Sequence, residues 1–422
     1  MNMIIKRKKG LVLSLLFILS ISSCSINNPI GEKKAQDSAE ITYYTQPNLA
    51  SELTKTLTKL SSSQRVSALA ASRIQAYTLL AAYLAYISTT TDKKQAQANA
   101  VAAARRIAAD LYLEVPAVYN SFDPLLKRYN INGIDKKIID LTTTKVRILA
   151  INDKFELILS KDFVSTTPST DLVPPLYRWE PTGLSDITFL DPNYGSLLTI
   201  SDVRGKCDLP PPNLRAVEEE SIALFKEYDP LTGSSENVLT FLAGVGTPTP
   251  SGQNLQIITT AAVSNYDEQN SLKIITASAI AMFDAGILTW AEKKKYMLAR
   301  PETIFLRFTG KKIYLIRETP PHPSYPSGHS SFTGANMAVI DNMVKTKAPL
   351  ELSLPDDLVV GGKTFYYENT IDLQSKVNSS RVESGFHTPL DVSAGAELGR
   401  CIGNYIVENF DSIIKSLSGE QK

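Results

Sequence analysis

Histidine, cysteine and tryptophan are scarce in this chain: three, three and two among 422 residues. So few cysteines exclude a disulfide-dense scaffold. Besides Cys24 there are only Cys207 and Cys401, and sequence alone does not pair them. Charge of one sign is lacking too: 44 Lys and Arg against 43 Asp and Glu leave a net charge of +1. Nothing in that balance marks a nucleic-acid-binding protein. Long hydrophobic runs are also missing. Leu11 to Ile21 spans 11 residues, short of the roughly 20 that a membrane helix needs. Gln64 to Ile87 is apolar and Ala-rich but is interrupted by Arg73 and Gln75. The pattern therefore excludes an integral enzyme with several membrane spans. There is no internal repeat. Hydrophobic residues make up 43% of the chain, as in ordinary globular proteins, and the length suffices for a substantial core.

The N-terminus reads as a processing segment. Lys6, Arg7, Lys8 and Lys9 form a basic region before the apolar run, the order expected of a signal peptide. Ile21-Ser22-Ser23-Cys24 then resembles a bacterial lipobox. That implies cleavage before Cys24, lipid attachment to it and an extracytoplasmic, membrane-anchored protein. Loss of the four basic residues lowers the net charge to −3. Residues 1–23 are thus a lipoprotein signal peptide and 24–49 a polar tether. An N-terminal helical part follows over 50–163, with helices over Gln64 to Ile87, Lys94 to Leu113 and within Lys136 to Ile158. Residues 164–215 carry Pro168, Pro174, Pro175, Pro181, Pro192 and Pro210 to Pro212, which break regular helix. A stretch this long is either a cover over a site or a surface excursion. Residues 216–422 read as a C-terminal helical part: Leu214 to Tyr228, Leu255 to Trp290, a helix bearing Lys293, Ser330 to Val344, and a final helix from Pro389 to Phe410. Leu354 to Tyr367, with Gly361-Gly362 between apolar runs, suggests a small β-hairpin. The expected fold class is all-α: one mostly helical domain with long irregular loops.

Three clusters in the last third carry the chemistry. They are Lys293 to Pro301, Tyr325 to Ser330 and Ser380 to Asp391. Together they supply Lys293, Arg300, Arg381, His329, His387, a Ser327-Gly328 turn and Asp391. Arginine offers a planar fork of donors that matches tetrahedral oxyanions, and lysine adds a mobile point charge. Lys293 and Arg300 are seven residues apart, two helical turns, so both can point from one face of a helix. Ser327-Gly328-His329 precedes a helical run, so backbone N–H groups face outward where anions bind well. Thr388-Pro389 reads as an N-cap followed by proline at the first helical position. Asp391, four residues past His387, is placed to hold the imidazole in one tautomer. Taken singly, each motif has a plain reading: Lys293 to Lys295 as a solvated helix face, Pro-Ser-Gly-His as a turn, Arg381 with Asp391 as a structural ion pair. Joint occurrence is what favours a site, because two of only three histidines fall inside it.

These residues resemble the superfamily that unites type 2 phosphatidic acid phosphatases, bacterial class A acid phosphatases and vanadium-dependent haloperoxidases. Its pattern is Lys-x6-Arg-Pro, then Pro-Ser-Gly-His, then Ser-Arg-x5-His-x3-Asp. Lys293, Arg300-Pro301, Pro326 to His329, Ser380-Arg381, His387 and Asp391 fit all of it. The resemblance implies helical bundles and a role for each residue. His387 is the nucleophile of a phosphatase or the vanadium ligand of a peroxidase, and His329 the general acid/base. Lys293, Arg300, Arg381, Ser327 and the Gly328 N–H cradle vanadate or phosphate, while Asp391 orients His387. Arg73, Ala76 and Tyr77, with Asp284 and Trp290 ahead of Lys293, look like the soluble bacterial haloperoxidase-like lipoproteins. Asp284 either pairs with a site arginine or lies on a helix surface. His322, seven residues before His329, occupies a position that lies near vanadate in haloperoxidases and is a histidine in bromide-oxidising ones; otherwise it is a loop residue. A Gly-His-Trp expected near Gly252-Gln253-Asn254 is absent, which puts any function of that loop in doubt.

The expected activity is therefore a vanadate-dependent oxidation of halide by hydrogen peroxide. The alternative is phosphate-ester hydrolysis through a phosphohistidine, which needs no cofactor. A third reading is a phosphate-binding lipoprotein without turnover, which two intact histidines disfavour.

Overall fold

The computed structural model describes residues 48–64, 66–90, 92–112, 114–129, 133–152, 172–182, 189–226, 228, 235, 238, 240–241, 249–315, 317–354 and 363–418. The signal segment, Cys24 and nearly all of the 24–49 stretch lie outside the described residues, as do 164–171 and Gly361-Gly362. Among the described residues, twelve α-helices, two short 3-10 turns (Pro175–Tyr177 and Tyr194–Ser196), a π turn (Ile340–Val344) and one antiparallel hairpin make up the regular structure.

Five helices form the N-terminal part: α1 (Leu49–Ser63), α2 (Ala68–Ile87), α3 (Lys93–Leu111), α4 (Val115–Arg128) and α5 (Lys136–Asn152). The apolar stretch read as one helix from Gln64 begins instead at Ala68, where the Ser67 hydroxyl caps the chain by accepting from Ala70 N. An earlier helix, α1, precedes it. Asn48 caps α1, and Leu49, Leu53, Leu57 and Leu60 form its buried stripe. Nearly every residue of α2 is buried, including Arg73, which donates to Ala150 O at 2.8 Å. Its alanines permit this, since small side chains let neighbouring helices close in from every side.

The C-terminal part holds α6 (Leu214–Lys226), α7 (Ser251–Asn265), α8 (Glu268–Tyr296), α9 (Pro301–Thr309), α10 (Gly328–Val339), α11 (Thr370–Glu383) and α12 (Pro389–Ser418). The run expected over Leu255 to Trp290 is two helices, because Asp267 leaves helical geometry and caps α8 by accepting from Asn270 N. α8 is the central core element. It is long and apolar enough to cross a membrane, but 94% of its most apolar window is buried inside the fold. Gln253 and Asn254 lie in the first turn of α7 and bond to Thr240 O and Thr333 Oγ1, which makes them structural.

The hairpin pairs β1 (Leu350–Leu354) with β2 (Lys363–Tyr367), from Leu350 opposite Tyr367 to Leu354 opposite Lys363. Its first strand therefore ends where the sequence suggested it begins. The closest helix pair is α10 with α12. A Cβ on Gly395, Gly399 or Gly403 of α12 would lie 2.4, 2.0 or 2.4 Å from backbone oxygens of Ser327, Ser331 and Ala335. Only glycine at that spacing lets the two backbones touch. This contact brings the start of α10 against the start of α12. Cys207 and Cys401 form a disulfide, tying the Pro-rich segment to α12.

Candidate oxyanion site

The three clusters converge on one buried spot. Lys293 sits in the last turn of α8. That helix ends at Met297, whose φ of 46° is left-handed, and Arg300 is already the N-cap residue of α9, with Pro301 at its first position. The expectation that one helix face carries both cations is thus corrected. The helix stops at the left-handed Met297, and Pro301 keeps Arg300 in extended geometry (φ −70°, ψ 153°), because proline disfavours helix at the residue before it. Lys293 Nζ donates to Pro323 O at 2.6 Å and Ser324 O at 2.9 Å and lies 5.6 Å from the Trp290 ring centroid. Arg300 Nε donates to His322 O at 3.0 Å. Its Nη1 reaches Phe386 O at 2.8 Å and His387 Nε2 at 3.1 Å. Its Nη2 reaches Pro320 O and His322 Nδ1, each at 3.1 Å.

Ser327 caps α10. Its hydroxyl accepts from Ser330 N, and its own N–H donates to Asp391 O at 2.9 Å. The first helical N–H groups, on Gly328 and His329, have no partner within the helix. A Cβ on Gly328 would stand 3.2 Å from the Trp290 ring, so glycine lets that indole lie close to the turn. His329 faces α11 through its Nε2, 3.3 Å from Arg381 Nη1.

His387 precedes α12. Thr388 accepts from Asp391 N at 3.3 Å, and Pro389 opens the helix, as the Thr-Pro pair suggested. Helix geometry then turns Asp391 back towards His387, with 3.5 Å between Oδ2 and Nδ1. A guanidinium can only donate, so His387 Nε2 accepts from Arg300 and the ring proton sits on Nδ1. By the same argument His329 Nε2 accepts from Arg381, whereas His322 Nδ1 stands between Arg300 Nη2 at 3.1 Å and the Pro323 carbonyl at 3.2 Å.

Electrostatics give this arrangement its meaning. Burial, then the nearby Arg300, holds the Lys293 ammonium well below the ordinary lysine value. Burial pushes Arg300 down to about 10, and burial followed by Arg300 pushes Arg381 down to about 9. His322, His329 and His387 are likewise pushed well below the ordinary value, first by burial and then by these cations. Asp391 is raised by burial, against hydrogen bonds from Ser324 and Thr388 and the pull of Lys293 and Arg300. Asp391 is the buried carboxylate that Lys293 and Arg300 act on, and Arg381 adds a third buried basic group, an imbalance that a bound anion would offset. Arg381 Nη2 is buried without a hydrogen-bond partner among the described residues. A tetrahedral oxyanion fits that set of donors. A conventional metal-ligand set is not what gathers here: no group of three His, Cys, Asp or Glu side chains able to hold a metal ion occurs among the described residues.

Other expectations resolve differently. Asp284 neither meets a site arginine nor lies on a surface. It is buried in α8 and accepts from Ile200 N at 2.9 Å, Ser201 N at 3.0 Å and Ser201 Oγ at 2.5 Å. Three donors converging on one carboxylate pin the Pro-rich segment to the core. Burial still raises its pKa to about 6. His322 is buried beside Arg300, with its ring 4.9 Å from Trp290, so it belongs to the site wall. The described parts of 164–215 cover that wall. Trp179 N donates to Met297 O and Ala299 N to Tyr177 O. Leu190 N bonds Pro321 O, Trp290 Nε1 bonds Leu190 O, and Tyr325 Oη bonds Pro210 O. Sequence reasoning missed Ser324, whose hydroxyl donates to Asp391 Oδ2 at 2.6 Å. A serine in a Pro-rich loop carries no signal of that role.

Residues 313–416 match the family model for the second helical-bundle domain of VCPO. Among solved structures, the first bacterial vanadium-dependent iodoperoxidase superposes with a TM-score of 0.68 at 19% identity, covering 87% of this chain and 98% of its own. The apo and holo forms of a bacterial vanadium-dependent chloroperoxidase give TM-scores of 0.62 and 0.60, each at 14% identity. They cover 82% and 81% of this chain and 93% and 91% of theirs. A search of curated proteins produced no match. The chain therefore has the helical fold of the vanadium-dependent haloperoxidases, at a distance in sequence.

Proposed function

We propose that the protein binds vanadate at this site and oxidises halide with hydrogen peroxide. The observation that carries the proposal is the cluster of three buried cations around His387 Nε2 with one carboxylate to balance them. Lys293, Arg300 and Arg381 would hold the oxyanion, with Ser327 and the Gly328 N–H completing the cradle and His387 Nε2 as the ligand. Bound vanadate supplies a Lewis-acidic centre at which peroxide is activated for transfer of one oxygen to halide. The chain's residues do the rest. The cations stabilise negative charge as it builds on oxygen, in a site that excludes water. The His387 proton on Nδ1, facing Asp391, leaves the Nε2 lone pair, which now accepts from Arg300, to bind the anion in its place. His329, neutral because burial and cations oppose its charge, accepts a proton from incoming peroxide; the added negative charge of the anion then favours its protonated form and its use as an acid. The reaction balances as halide, peroxide and one proton giving hypohalous acid and water.

Peroxidase is favoured over phosphatase because the likeness to haloperoxidases runs through both helical parts and not only the motif-bearing one. One paired assay tests it: bromide- and iodide-dependent halogenation after loading with orthovanadate, beside hydrolysis of a phosphomonoester. Halogenation supports the proposal; hydrolysis without halogenation would move the assignment to phosphatase. For location we propose export and lipid attachment at Cys24, on the basic, apolar and Ile-Ser-Ser-Cys order of the N-terminus. Cys24→Ser should abolish lipid labelling, whereas an unmodified Cys24 with Met1 retained, seen by mass spectrometry, would reject the anchor.

A further inference from the structure

Ser324 lies outside the three clusters yet touches all of them. It is 1% exposed. Its N–H donates to Leu298 O at 2.9 Å, between Lys293 and Arg300 in the chain. Its carbonyl accepts from Lys293 Nζ at 2.9 Å. Its hydroxyl donates to Asp391 Oδ2 at 2.6 Å and stands 3.4 Å from His387 Nδ1. Three residues further on, Ser327 caps the helix that carries His329.

His387 Nδ1 stands 3.5 Å from Asp391 Oδ2 and 3.4 Å from Ser324 Oγ, both long for a hydrogen bond; what separates the two acceptors is how many donors each already serves. Asp391 Oδ2 is already shared with Thr388 N at 3.0 Å. The Ser324 hydroxyl gives its single proton to Asp391, so its lone pairs are free to face the Nδ1–H of His387. We propose that Ser324 is a positioning residue: the bridge Nδ1–H···Oγ–H···Oδ2 orients the His387 ring and fixes its tautomer, and the Ser324 carbonyl sets the Lys293 ammonium beside it. This rests on the reading that His387 Nε2 receives the oxyanion. A bridge of this kind gives one serine control over both the ligand and one of the clamping cations.

The test uses the full folded chain labelled with ¹⁵N-histidine. With three histidines, each ring is followed separately, and His387 is identified by loss of its signals in His387→Gln. The wild type should show the Nδ1–H tautomer. In Ser324→Ala the Nδ1 signal should shift and broaden, and calorimetry should show affinity for inorganic phosphate and orthovanadate falling roughly 10-fold, as when a group supporting a ligand is lost. Ser324→Thr, which restores the hydroxyl, should recover both. Should Ser324→Ala fail to fold, Ser324→Cys replaces it, with the same changes expected because a thiol is a weak hydrogen-bonding group. An Nε2–H tautomer in the wild type, or a His387 spectrum unchanged in Ser324→Ala, overturns the assignment. A wild type that binds neither anion would instead defeat the proposed function, while the His387 spectrum still decides the role of Ser324.

Discussion

At the residue scale the site divides its cations by what else they hold. Arg300 spends its donors on three backbone carbonyls and two histidine rings. Among the described residues Arg381 donates only to Ser380 Oγ and His329 Nε2, and its Nη2 has no partner. Arg→Lys keeps charge at either position but loses the fork. Arg381→Lys should therefore weaken phosphate or orthovanadate binding by at least roughly tenfold, about 1.4 kcal/mol, with little change in melting temperature. Arg300→Lys should do the same and also destabilise the fold by about 1–3 kcal/mol, since buried carbonyls lose their partners. Calorimetry and denaturant unfolding separate the two outcomes; unchanged affinity in both variants would make the arginines purely structural. His387→Ala should abolish turnover in a protein that still folds, because its ring lies at a helix start rather than in the apolar core. Most of the activity surviving in a folded variant would remove His387 from the mechanism.

At the element scale two contacts position the site. The first is the glycine seam between α10 and α12. Gly399 has the tightest approach, 2.0 Å from a Cβ to Ser331 O, so backbone would have to move to admit alanine. Gly399→Ala should cost about 1–3 kcal/mol and lower activity as well, because the seam sets the distance between His329 and His387. Full stability in that variant would mean the seam yields more easily than its geometry suggests. The second is Asp284, which anchors the segment over the site. Its folded pKa of about 6 lies above the ordinary 3.8. A raised carboxylate contributes stability below about pH 4, and that contribution is lost as pH rises through about 6, roughly 3 kcal/mol in all. Against Asp284→Asn, which lacks this titration, the wild type should lose stability steadily between those limits. A difference flat with pH, by denaturant unfolding, would show that Asp284 does not titrate there.

At the scale of the whole molecule the disulfide joins parts of the chain 194 residues apart, linking the cover of the site to its last helix. Replacing Cys207 and Cys401 with serine should lower stability by about 2–4 kcal/mol. Tyr325, just before the Pro-Ser-Gly-His turn, bonds to Pro210 in the covering segment, so halogenation or phosphate affinity should fall with it. Loss of stability without loss of binding would separate the staple from the site.

The sequence by itself determined the helical class and marked nearly every residue that gathers at the candidate site. Those are legible because amphipathic spacing, capping residues and a rare cluster of cations with two histidines are local patterns. The Thr388-Pro389 start and the Asp391 return were readable for the same reason, since helix geometry fixes what lies one turn on. Only the tertiary structure decided that Lys293 and Arg300 come together across a helix end, that Asp284 serves the cover instead of the cations, that Cys207 pairs with Cys401, and that Ser324 reaches Asp391. Each of these depends on a partner far along the chain: Asp284 on Ser201, Cys207 on Cys401, Ser324 on Asp391. Side chains of one type look alike in sequence whatever they will touch, and their role is set by what packing brings within hydrogen-bond reach.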